Sequence, residues 1–396
     1  MRSPLFVFPT RQFSQPLLRH EERLSFCVGL LSGVQSYNTT LGNPCHRWIV
    51  MTTARGTEEE MSKPNLFRYA TSELSQDAFF AWLLAWADKS YAGTKLHECA
   101  KMFFNDLILD GCDWKTSSES VVKIDKQHKH IDILCKIDDK YAVIIEDKTG
   151  PREHSNQLQR YAESVRVEGY KGENVVCIYL KTLDQSDLSN VEKANYKVID
   201  RDKLLGFFRT QQVKESASEN TILADFSEHL ESIERSVCAY QTKPIGEWNR
   251  DQWVGFYGAL QKRSKHSDAH WDYVANPSGG FLGFWWMGKK VDGGEVYLQL
   301  EETRACFKVS AYKKENADKL KWRWNKVFKD AGKAKGIDVV NPSRLRVGEC
   351  MTVAILKDDI RIAKPDGTID FEKTCERLSS MEEVLELAIK QQSDKQ

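Results

Sequence analysis

The chain has 396 residues, with 57 Lys and Arg balancing 57 Asp and Glu, so its formal charge at pH 7 is zero. At roughly 100–200 residues per domain the length implies two domains, and 41% hydrophobic with 29% charged residues excludes a fibrous or disordered chain. No apolar run approaches the roughly 18 residues that span a bilayer, and the neutral balance at first argues against a nucleic-acid binder.

The first 62 residues contain no lysine, and the first aspartate is Asp77. Residues 1–60 are read as an extension outside any folded domain, with an Arg- and Ser-rich targeting peptide as the competing reading. Asn38-Thr39-Thr40 matches a glycosylation sequon, a triplet too common to carry weight. No two of the ten cysteines are closer than thirteen positions, which excludes zinc ribbons, iron–sulfur clusters and Cys-x-x-Cys redox sites. Scattered thiols imply a reducing compartment, and cytoplasmic localisation is expected.

Domain-like patterning starts near Leu66. Phe79, Phe80, Leu83, Leu84 and Trp86 recur at helical spacing and predict a helix over 76–89, followed by a second near 96–108. Short apolar runs predict strands at 121–124, 131–137 and 141–145, then a helix over 153–167 and a strand over 175–180. Apolar helical character at 204–208 and a polar helix over 221–235 complete a mixed α/β domain, 61–244. Lys243-Pro244-Ile245-Gly246 is read as a linker. Beyond it, a helix over 252–263, four strands (271–275, 281–287, 296–301, 306–312), a helix over 316–335 and a terminal helix over 381–391 predict an α+β accessory domain, 245–396.

The chemistry gathers at one hairpin. Ile131 to Ile137 turns at Asp138-Asp139-Lys140 and returns as Tyr141 to Ile145, Glu146-Asp147-Lys148. Side chains alternate along a strand, so Glu146 and Lys148 share a face while Asp147 looks the other way. Antiparallel pairing brings Asp132 beside Glu146. Two buried carboxylates repel unless a cation lies between them, and Mg²⁺ takes hard oxygen ligands of this kind. Such a metal activates water and neutralises charge on a phosphodiester, while a nearby lysine orients the water or meets the phosphate.

Asp132 followed by Glu146-x-Lys148 at the end of an apolar strand resembles the PD-(D/E)xK nuclease superfamily. Gln157-Leu158-Gln159-Arg160-Tyr161 resembles the Gln-x-x-x-Tyr motif of its RecB-like and Cas4-like branches, and residues four apart share a helix face. The resemblance covers roughly residues 66–200, and from Met61 onward the chain is similar to bacterial members with a second α+β domain. It implies a restriction-endonuclease-like core and catalytic roles for Asp132, Glu146, Lys148, Gln157 and Tyr161. It also implies a Mg²⁺ (or Mn²⁺) site from Asp132, Glu146 and the backbone of Asp147, completed by Glu73, with Asp77 as its substitute. Two departures stand: His130-Ile131 replaces the proline before Asp132, and no complete Walker motif supplies a motor. Asp113-x-Lys115 and Asp138-x-Lys140 repeat the bare triplet without its context. His128, His130 and His154 bracket the site and are read as polar strand-start residues.

The expected function is hydrolysis of DNA phosphodiester bonds in defence or DNA processing, with RNA left open as substrate. The alternative is a catalytically silent nuclease fold that binds nucleic acid or protein. A homodimer is admitted and no membrane partner is expected. Split by region, the neutral charge becomes +1 for residues 1–60 (6 basic, 5 acidic), −4 for 61–244 (25 and 29) and +3 for 245–396 (26 and 23). Between Lys313 and Lys335, nine basic residues face three acidic ones, with Trp322 and Trp324 interleaved. Lys319, Lys321, Arg323 and Lys326 are the nucleic-acid contacts on one reading; on the other this is a solvated helix whose tryptophans pack on the sheet.

Overall fold

Two sheets organise the chain, each with its own hydrophobic layers. The computed structural model describes residues 63–150, 157–276 and 279–394, all within one compact unit. The extension read at 1–60, its sequon and His154 lie outside the described residues.

The first sheet has five strands in sequential order: β1 (Val122–His128), β2 (Ile131–Ile137), β3 (Tyr141–Lys148), β4 (Val175–Lys181) and β5 (Lys197–Ile199). β1, β2 and β3 form an antiparallel meander, whereas β4 and β5 run parallel to β3. Parallel pairing needs a crossover, which α3 (Gln157–Val167) supplies. Both faces of this sheet are covered, which is why β2 and β3 read as nearly unbroken apolar runs. Ile133, Cys135, Val143, Ile145, Ile178 and Leu180 face a core built with α1 (Glu73–Ala85), α2 (Lys95–Met102), α5 (Arg201–Phe208) and α7 (Thr221–Cys238). Leu134, Ala142, Ile144 and Tyr179 face Leu158, Tyr161, Ala162 and Val165 of α3.

The aromatic spacing foreseen in α1 closes this core. Phe226 of α7 stacks on Phe79 at 3.7 Å and meets Phe67 and Phe80 edge-on at 5.1 and 5.2 Å. α1 starts at Glu73, three residues before the predicted start, because the Ser72 side chain accepts the Ser75 N–H and caps the helix. That shift matters, since it brings Glu73 into the first turn. α2 continues through a π-helical stretch, Phe103–Ile108. The short α4 (Ser189–Lys193), β5 and α6 (Gln211–Glu219) were not foreseen: each is too short or too polar to show a period of its own.

The second sheet is antiparallel, with six strands in the order β10-β11-β9-β8-β7-β6. These are β6 (His270–Val274), β7 (Phe281–Val291), β8 (Gly294–Glu301), β9 (Arg304–Ala311), β10 (Val339–Val340) and β11 (Cys350–Leu356). The last two exceed the four strands predicted. β10 has two residues; β11, a seven-residue apolar run of strand length that the four predicted strands leave out, pairs with β9. Helices α8 (Arg250–Arg263), α9 (Ala317–Lys335) and α10 (Phe371–Ser393) bury Trp253, Phe256, Trp324, Phe328 and Val384 against this sheet.

The stretch read as a linker is packed. Ile245 donates its N–H to the Gly367 carbonyl at 2.9 Å, and the Ile245 carbonyl accepts from Arg361 at 2.6 Å. Arg361 itself lies over the Trp248 and Trp253 rings at 5.1 and 4.5 Å. At Gly255 the α7–α8 approach is so close that a Cβ would overlap the Val237 carbonyl.

Truncating Phe226 to Ala removes a ring that is fully buried among four phenylalanine rings. The expected loss is about 3–5 kcal/mol of unfolding free energy. Chemical denaturation of the two proteins measures it, and a loss under about 1 kcal/mol contradicts the packing described.

Candidate active site

The site forms where β2 begins and β3 ends. Pairing Ile133 with Ile145 sets Asp132 opposite Glu146 in the next register position. Ladder bonding stops there, and the Asp132 carboxylate instead accepts the Asp147 backbone N–H at 3.0 Å. Alternation along β3 then separates two clusters, one on each face.

On the α3 face, Lys148 Nζ lies 2.8 Å from Glu146 Oε1, 3.5 Å from Asp132 Oδ2 and 3.6 Å from Glu73 Oε1. Glu73 reaches this point around the sheet end and accepts the Thr149 N–H at 3.3 Å. Gln157 donates to Glu146 Oε1 at 2.6 Å and contacts the Tyr161 hydroxyl at 2.8 Å. The helix-face argument for residues 157 and 161 therefore describes a real contact, although the glutamine is spent on a carboxylate. Tyr161 is buried against the sheet, and burial raises its pKa.

On the opposite face, Asp147 is fully buried and accepts from Gln76 Nε2 at 2.5 Å. Asp77 lies close enough that its charge helps hold the Asp147 carboxyl above the usual range. Gln76 in turn accepts the Thr182 hydroxyl at 2.8 Å. Gln127, whose φ of 54° is in the left-handed region, places its amide 3.4 Å from Asp77 and 3.3 Å from Asp132. Sequence reasoning missed Gln76, Gln127 and Thr182. The one available signal was Gln76 three residues after Glu73, one helical turn along.

Electrostatically this is a crowded acid cluster. Burial, then the Asp132 charge, pushes the Glu146 carboxyl up to about 8. Burial, then the same Asp132 charge, pushes Asp77 up to about 6. Asp147 is held well above the usual carboxylate range by burial and by Asp77. Lys148 is the local counter-ion. Burial opposes its charge, but the Glu146 hydrogen bond and the Glu146, Asp132 and Glu73 charges outweigh it, and its pKa is raised.

Among the described residues no three acidic, His or Cys side chains close into a metal-binding group. The Lys148 ammonium lies between the carboxylates that would form one. Even so, the donor set suits a hard divalent ion. Glu146 Oε2 is buried and has no hydrogen-bond partner among the described residues, and the crowded acids take up charge reluctantly until a cation joins them. The Asp147 side chain is not available to that ion, because it points to the other face; only its backbone is near.

The remaining sequence candidates lie elsewhere or differently. His128 pairs with Glu168 at 2.7 Å, and His130 is exposed in the β1–β2 turn. Lys115 of the first stray triplet donates to the Asn105 and Leu109 carbonyls, and Asp138-x-Lys140 forms the β2–β3 turn. On α9, Lys319 and Lys326 are exposed. Lys321 is buried and paired with Asp318 at 2.8 Å, while Arg323 is half-buried and donates to Gln392 and Asp292. Those two cations are therefore engaged in packing and are not on the exposed face of the helix.

Residues 64–229 match the family model described as the PD-(D/E)XK nuclease superfamily, so this part of the chain is similar to that superfamily. No curated protein and no solved structure matches the chain.

The raised Glu146 carboxyl has a stability consequence. Below its ordinary 4.5 the group is protonated folded and unfolded alike, so its full contribution is present. As pH rises from 4.5 to about 8 only the unfolded chain ionises it, and stability is lost. Urea midpoints in chelator at pH 5 and pH 8 are expected to fall for the native protein and to fall less for Glu146→Gln. Equal declines would show that the carboxyl is not held protonated.

Proposed function

With residues 64–229 similar to a nuclease superfamily, we propose that the protein is a metal-dependent nuclease that hydrolyses phosphodiester bonds of DNA. One observation carries the reading: an Asp, a Glu and a Lys from two paired strands converge within 3.5 Å, supported by a Gln from the next helix. Asp132 and Glu146 would hold the divalent ion, Mg²⁺ or Mn²⁺, with the Asp147 backbone and Glu73 completing the set. Bound there, the ion lowers the pKa of a coordinated water and offsets charge on the reacting phosphate.

The chain's own residues do the rest. Lys148 is charged, so it acts as a hydrogen-bond donor and point charge towards the attacking water or the scissile phosphate. Gln157 steadies Glu146 and links it to Tyr161, which holds the α3 face against the sheet. Asp147, fixed by Gln76, anchors the end of β3 so that the flanking Glu146 and Lys148 share their face.

The silent-module alternative requires a decayed site, and no member of the set is missing. Cleavage of linear, circular and single-stranded DNA in Mg²⁺ or Mn²⁺ tests the proposal. Lys148→Ala and Asp132→Ala are each expected to lower the rate by about 10²–10⁴-fold. Intact substrates, or variants that cut at the native rate, would refute it. Calorimetric titration with Mn²⁺ should show binding to the native protein that Glu146→Ala abolishes; unchanged binding would remove Glu146 from the metal site.

A further inference from the structure

We propose that the exposed face of α9 is a binding surface for single-stranded nucleic acid. Lys319, Trp322, Lys326, Lys329 and Lys333 recur at alternating intervals of three and four, and all five are exposed. At 3.6 residues per turn they occupy about 80° of arc along about 21 Å of helix axis. Lys319, Lys326 and Lys333 form no ion pair among the described residues, and Lys329 makes one 3.3 Å bond to Asn341. Asp330 lies at the edge of the stripe, and Asp318 is taken up by buried Lys321. The four lysines therefore form an open row of positive charge within residues 245–396, the region with the largest positive surplus.

The ring in that row is the more specific feature. Trp324 is completely buried in the second sheet's core, whereas Trp322, two residues earlier, is 54% exposed. A half-exposed indole, with Lys321 Nζ 5.0 Å from its centroid and lysines one helical turn away on either side, favours a partner with both phosphates and flat apolar faces. Unpaired bases have such faces; bases inside a duplex are already stacked. One aromatic residue on a lysine row is too little apolar surface for a membrane-binding helix, which needs a broad apolar face.

The surface does not depend on the cleavage chemistry, so its test omits it. Full-length protein in chelator is titrated with fluorescent 20-mers of thymidylate and of uridylate and with a 20-base-pair DNA duplex. At least one single strand is expected to bind more tightly than the duplex. Trp322→Ala should weaken that binding by about 5- to 100-fold, Trp322→Phe should restore most of it, and duplex binding should not change. Replacing Lys326 and Lys329 together by Gln should reduce the slope of log affinity against log salt by about 1.4. Matching melting curves would show that the variants are folded. No binding of either strand, equal binding of the duplex, or an affinity indifferent to Trp322 would overturn the proposal.

Discussion

Carboxylate crowding at the end of β3 is the constraint around which the first domain is arranged. Asp132, Glu146 and Glu73 converge on one face, while Asp77 and Asp147 lie buried on the other. Burying unpaired negative charge costs several kcal/mol per ion, so each group is protonated, hydrogen-bonded or paired. Lys148 serves three carboxylates at once, Gln157 serves Glu146, and Gln76 serves Asp147. This explains why polar helix residues point into an otherwise apolar interior at these positions.

The same crowding links architecture to chemistry. The α1 cap at Ser72 sets where Glu73 stands, and the crossover helix α3 sets where Gln157 stands. Neither helix is adjacent to the other, yet both deliver one group to the end of a strand they flank. A site assembled from sheet and helix ends is held by the packing of the whole domain. The Phe79–Phe226 stack packs the same helix, α1, that carries Glu73, Gln76 and Asp77.

Much of the first domain was legible before any coordinates. β2 was bounded correctly, and the Glu146/Lys148 versus Asp147 alternation follows from strand geometry alone. The opposition of Asp132 and Glu146 follows from the hairpin turn. Helix starts were less legible, because a cap such as Ser72 lies outside the apolar period. Polar supports such as Gln76 and Gln127 were illegible, since nothing in a glutamine's sequence neighbourhood says which carboxylate it will meet.

The second domain makes the division sharper. Local sequence determined that α9 is a helix dense in lysine with two nearby tryptophans, because periodicity and composition are local properties. Which tryptophan would be buried was decided by the sheet that α9 packs on: Trp324 enters the core, Trp322 stays out, and Lys321 and Arg323 are drawn into ion pairs and hydrogen bonds. Likewise, the sequence alone determined the acid and lysine pattern of the β2–β3 hairpin. Only tertiary structure decided that Glu73, and not its substitute Asp77, reaches Lys148, that Asp147 is sealed behind it, and that segment 243–246 is packed rather than free. Those outcomes depend on contacts between residues far apart in the chain, and no local pattern encodes them.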